Sequence, residues 1–102
     1  MKNKMIIKNL DKALKSIKGD SIYLTKDKPL TKEIAIISCC EFFKGKKPGD
    51  SLKAYAIGLK INNKKEVELT SDEVELLKVV IESNEIFATI ITGALLTELT
   101  TL

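Results

Sequence analysis

Val67-Glu68-Leu69-Thr70-Ser71-Asp72-Glu73-Val74-Glu75-Leu76-Leu77-Lys78 is the stretch that decides the fold. Thr70 followed three residues later by Glu73 is a capping box, in which hydroxyl and carboxylate reciprocally satisfy free N–H groups at a helix start. Asp72 and Glu73 add negative charge where the helix dipole favours it. Val74, Leu77, Val80 and Ile81 then recur at helical spacing, so a helix with one buried face runs to about Glu82. Upstream, 64–69 reads as a charged loop holding at most one short strand. Downstream, Ser83-Asn84 interrupts and a last helix is predicted over roughly 85–100.

Outward from this point the same logic assigns most of the chain. Thr31 caps a helix running to about Phe43, with Ile34, Ile37, Cys40 and Phe43 on its inner face. It ends in the breaker-rich loop 44–49. A further helix starts near Asp50-Ser51, carries Leu52, Tyr55, Ala56 and Leu59 at i, i+3, i+4, i+7, and stops at Asn62-Asn63. Met5-Ile6-Ile7 opens a short strand, and Ser21–Thr25 has the composition of another, followed by a turn at 26–29. Between them, Leu10, Ala13, Leu14 and Ile17 fit a two-turn helix between Asn9 and Gly19. The competing form is a hairpin turning at Lys18-Gly19-Asp20. The expected fold is mainly α within an α+β class. It is a compact four- to five-helix domain with a small N-terminal β region, 1–27 forming the strand/helix part and 28–102 the helical core of one domain.

The last helix has an unusual apolar distribution. At about 100° per residue, Ile86, Phe87, Ala88, Ile90, Ile91, Ala94, Leu95 and Leu99 fill roughly 220° of arc, against a usual stripe just over 100° wide. It is therefore either the central element of the domain or a partner-facing one. Ile86, Phe87, Ile90, Ile91, Leu95 and Leu99 are the candidate self-association residues, and a homo-oligomer is the expected assembly.

Charge is segregated along the chain. All 17 basic residues are lysine, and 16 of them precede residue 66. Residues 1–65 carry a net +10 against 6 acids, and residues 66–102 a net −7. Such asymmetry suits an anionic partner or self-complementary assembly. Lys44, Lys46, Lys47, Lys53, Lys60, Lys64 and Lys65 are the candidate anion or partner contacts, because Lys44, Lys46 and Lys47 meet the helix start at 49–51, where backbone N–H groups can hold an anion. The loop is not a phosphate-binding P-loop, since the spacing G-x-x-x-x-G-K-[ST] is absent. Without arginine the chain lacks the bidentate reader of guanine, and five aromatics with no tryptophan make a poor stacking platform. Nucleic acid is a possible but not favoured partner.

An enzyme is not expected. There is no histidine, the most frequent general acid–base near neutral pH. Ser38 beside Cys39 has no base to activate it, and Asp72, Glu73 and Glu75 are accounted for by the helix start. The adjacent Cys39 and Cys40 are poorly placed for a disulfide with each other. Without histidine they do not make a zinc site, so they read as small buried hydrophobes in a reducing cytoplasm. No metal or cofactor is implied. The N-terminal apolar run is too short for a signal peptide, and 86–102 is too short and polar to span a bilayer, so no membrane partner is expected.

The segment Ala54-Tyr55-Ala56-Ile57-Gly58-Leu59-Lys60-Ile61, followed by Val67–Lys78, resembles small bacteriophage and prophage proteins with a "LALKI…VELT-acidic helix" pattern. Lys28-Pro29-Leu30-Thr31, opening a helix, is similar to theirs, so the likeness covers 28–82. It brings no assigned active site. What it implies is context: a phage accessory protein in the bacterial cytoplasm, acting by binding. The expected function is non-enzymatic and anti-defence in kind, engaging or sequestering a host component such as a defence protein or its anionic nucleotide signal. The alternatives are a nucleic-acid-binding regulator and a virion assembly factor acting by self-association.

Overall fold

The computed structural model describes residues 4–45 and 47–100. In chain order the elements are β1 (Lys4–Ile7), β2 (Tyr23–Thr25), β3 (Lys28–Pro29), α1 (Lys32–Glu41), α2 (Asp50–Ile61), β4 (Val67–Thr70), α3 (Ser71–Glu82) and α4 (Thr89–Thr100). β1 pairs antiparallel with β4, setting Met5 opposite Leu69 and Ile7 opposite Val67, and β2 pairs with β3. The chain is a compact α+β domain of four helices with a small two-stranded antiparallel sheet that uses the N-terminal strand.

The capping box forms as the sequence predicts. Thr70 Oγ1 accepts from the Glu73 N–H at 3.2 Å, and the Thr70 N–H donates to Glu73 Oε1 at 3.0 Å. Val74, Leu77, Val80 and Ile81 are all buried. Because β4 runs straight into α3, this cap also fixes the angle between the sheet and the helix. α3 packs against α1, α2 and α4 and touches both strands of that sheet, which makes it the central helix. Burial alone would raise the Glu73 carboxyl; hydrogen bonds and charge from Lys60, with its Nζ 2.6 Å away, and from Thr70 outweigh that and hold it below the ordinary glutamate range. The stabilisation from this depressed carboxyl is complete above the ordinary glutamate range and is lost as pH falls through the folded-state value. Thr70→Ala is expected to cost about 1 kcal/mol by urea unfolding at neutral pH. Glu73→Gln should flatten the acid limb of a stability–pH profile.

Two helix faces differ from the sequence expectation. In α2 the buried set is Ala54, Ile57, Gly58 and Ile61, while Leu52, Tyr55 and Leu59 are exposed. Both sets satisfy i, i+3, i+4, i+7, so periodicity does not choose between them. The small residues Ala54 and Gly58 do, because they let α1 approach closely: a Cβ added at Gly58 would lie 3.5 Å from Cys40 Cβ. In α1 the buried side is Lys32, Ala35, Ile36, Cys39 and Cys40, and Ile34, Ile37 and Phe43 are only partly buried.

Residues 10–18 are not a helix. Asn9 takes a left-handed φ of 60° and Gly19 one of 93°, and the chain turns back at 16–20, where the Ser16 N–H donates to Asp20 O and the Gly19 N–H to Ser16 O. The hairpin is the form adopted, with Lys15 bridged to Ser21. Its backbone groups are satisfied over long range: Leu14 N–H donates to Leu30 O, Leu30 N–H to Ile22 O, and Ile22 N–H to Leu14 O, each at 2.8 Å. This ring of three bonds joins three segments and offers the backbone more than two isolated helical turns could, since short helices are marginal alone. It buries Leu10, Leu14 and Leu30 and leaves Ile17 at the turn 96% exposed.

α4 begins at Thr89, four residues later than expected. Asn84 organises the connection: its Oδ1 accepts from the Ile86 and Phe87 N–H groups, while its Nδ2 donates to Ile81 O and Thr92 Oγ1. α4 packs on α3 and α1, burying Leu95 and Leu99 and leaving Ile90 exposed. It is a flanking helix, and the central position belongs to α3.

Candidate functional site

A concavity of about 780 Å³ lies between the 9–17 segment and α4. The segment is held there by its backbone: the Lys32 N–H donates to Lys12 O and the Glu33 N–H to Leu10 O, and Ala13 bridges Thr31. On the other side α4 turns Ile90, Gly93, Ala94 and Thr97 toward the opening. Gly93 and Ala94 are too small to fill it. Thr97 spends its hydroxyl on Gly93 O at 2.8 Å, so this wall is mainly apolar.

Charge enters the groove from Lys12, Lys15, Lys32 and Glu98. Lys12 and Lys15 are exposed. Lys32 is only 8% exposed, and its Nζ lies 3.0 Å from Glu98 Oε1, the glutamate itself being half exposed. Burying an ammonium is costly without such a partner. Three lysines against one glutamate leave the groove locally positive. Ile17 and Ile90 line it as exposed apolar groups. The arrangement can grip a ligand with an apolar stripe flanked by carboxylates or phosphates.

Of the lysines singled out by sequence, Lys46 lies outside the described residues. Lys44 and Lys47 stand in the loop before α2, whereas Lys64 and Lys65 follow its other end, roughly 18 Å away along a 12-residue helix. The structure therefore does not bring them together. At the α2 start, Asp50 accepts from the Lys47 N–H at 3.2 Å, which places a carboxylate beside the lysines of this loop. Lys53 joins Asp50, Asp72 and Glu73 around a concavity of about 370 Å³, where acids outnumber it, and Lys60 is paired with Glu73.

The candidate self-association residues divide. Leu95 and Leu99 belong to the domain's own core, with Phe87 and Ile91 packed partly against it, while Ile86 and Ile90 are exposed. Ile86 borders a separate notch of about 360 Å³ with Phe42, Phe43 and Lys44. Lys12, Lys15 and Ile17 are brought to one edge by the turn at 16–20 and meet Lys32 of α1 there, a grouping that the helical reading of 10–18 does not predict. The hairpin alternative held the usable signal, since it puts Ile17 at a turn.

Cys39 and Cys40 are reduced and buried. Burial pushes the Cys39 thiol up to about 11, and burial with the neighbouring Cys39 and Glu41 pushes Cys40 up to about 12. Neither should react with a thiol-specific disulfide reagent at pH 8 until the protein unfolds. Because the folded thiols hold protons that unfolded ones release, stability should fall as pH rises above about 9. Among the described residues, no group of three histidine, cysteine, aspartate or glutamate side chains could hold a metal ion, and no helix is long and apolar enough to cross a membrane.

No known protein family matches this chain, and neither a curated protein nor a solved structure is similar to it.

Proposed function

We propose that this protein acts by binding rather than catalysis, using the groove between the 9–17 segment and α4 to hold an acidic amphipathic segment of a partner. The observation that supports this reading is the makeup of the groove: an apolar wall with Ile17 and Ile90 displayed beside Lys12, Lys15 and Lys32, and Glu98 as the one acid. Apolar side chains supply burial and the lysines supply orientation and encounter rate. In the phage setting that the sequence resemblance implies, a small accessory protein of this kind works by occupying a surface of a host component.

The test is a titration with a short helical peptide of leucine and glutamate, beside a matching peptide of leucine and lysine. The acidic peptide should bind and move the amide resonances of Lys12, Ile17, Ile90 and Gly93. Lys12→Glu/Lys15→Glu should weaken it about tenfold or more, with the loss growing less at high salt. Equal binding of the lysine peptide, or resonance shifts confined to another face, would overturn the assignment.

A further inference from the structure

We infer that the acidic segment the groove accepts is the outer face of α3 from a second copy of this chain, so that the molecules associate head to tail. The inference rests on the groove reading above and names its occupant. Glu75, Val79 and Glu82 stand at i, i+4 and i+7 on the solvent side of α3, all exposed, with Glu85 just beyond the helix end. They span about 10 Å and place one apolar group, Val79 at 56% exposed, between carboxylates. The groove carries the inverse pattern, apolar Ile17 and Ile90 beside lysines. Lys78 pairs with Glu75 at 3.4 Å, but an exposed pair within one helix is worth little and exchanges readily.

No residue of α3 lines the groove, so both surfaces of one molecule are available at once. A contact between different patches on two identical copies is heterologous and builds an open chain or a ring, not a closed two-fold dimer. The opposed charge blocks along the sequence, +10 over residues 1–65 and −7 over residues 66–102, then meet across each junction. α4 contributes through Ile90 and the groove wall, while its Leu95 and Leu99 stay in the core.

Sedimentation of the full chain over a range of concentrations tests this, run at low and high salt. The wild type should grow beyond a dimer as concentration rises, and high salt should dissociate it. Lys12→Glu/Lys15→Glu should remain monomeric, and so should Glu75→Lys/Glu82→Lys. All four substitutions are at exposed positions, and circular dichroism of each variant should match the wild type. An equimolar mixture of the two variants should assemble again, because each groove then faces an α3 of opposite charge. A wild type that stays monomeric throughout would overturn the inference. If it is monomeric yet the leucine–glutamate peptide still binds the groove, only the identity of the occupant fails. If neither occurs, the groove reading fails with it. Association untouched by the charge reversals, or a mixture that does not reassemble, would also overturn it and point to another face, such as Leu52, Tyr55 and Leu59.

Discussion

Replacing Leu77 by alanine is expected to destabilise the domain by about 2–5 kcal/mol, the largest single effect among the substitutions considered. Leu77 is completely buried on α3, the helix that touches every other helix and both strands of the β1–β4 sheet. Truncation leaves a cavity whose walls belong to several rigid elements and cannot easily collapse. A domain of 102 residues has a total stability of only about 5–15 kcal/mol, so this one change removes a substantial share of it. Urea unfolding followed by circular dichroism measures it. Ile57→Ala should cost a similar amount, whereas Leu59→Ala should stay within about 0.5 kcal/mol. The opposite order would show that α2 presents its other face to the core.

Glu98→Gln is expected to cost about 1–3 kcal/mol, while Lys32→Met changes stability by less. The asymmetry follows from burial. Lys32 is almost wholly enclosed and its ammonium faces Glu98 at 3.0 Å, whereas Glu98 is half in solvent. Removing the glutamate charge strands a buried cation; removing the lysine leaves a carboxylate that water can solvate. Methionine keeps most of the packing of the lysine stem. Denaturant melts of both variants and of the double variant separate the pair energy from the single losses. Equal losses from both single changes would show that the ion pair acts symmetrically, as a surface pair does. Lys32→Met should also weaken acidic peptide binding, since the groove loses one of its three lysines.

How much was legible in the sequence depends on where the controlling interactions lie. The α3 cap, its buried face and the stop of α2 at Asn62 are set by neighbours within a few residues and appear as predicted, whereas a full strand, β4, forms where a charged loop with at most one short strand is expected. The buried faces of α1 and α2 differ from the sequence expectation because each helix carries apolar residues on two sides. For 10–18 the sequence supports both a helix and a hairpin, and local pattern does not choose between them because the hydrogen-bond partners, Ile22 and Leu30, are remote in sequence. The candidate lysines stand out in the sequence by charge segregation and by the loop–helix junction at 49–51, but a 12-residue helix separates their two groups in space. The groove was not visible for the same reason: its walls come from residues 9–17 and from α4, some 75 residues later.

By itself, the sequence determined that the chain is an α+β domain, where its helices begin and end to within a few residues, and that its charge is split into two opposed blocks. These follow from caps, turns and short-range periodicity. Only the tertiary structure decided which faces are buried, that α3 and not α4 is the central helix, and that three lysines gather beside an exposed isoleucine at an open groove. Those outcomes depend on which small residues let two elements approach and on backbone bonds between distant segments. Both are properties of the packed chain as a whole.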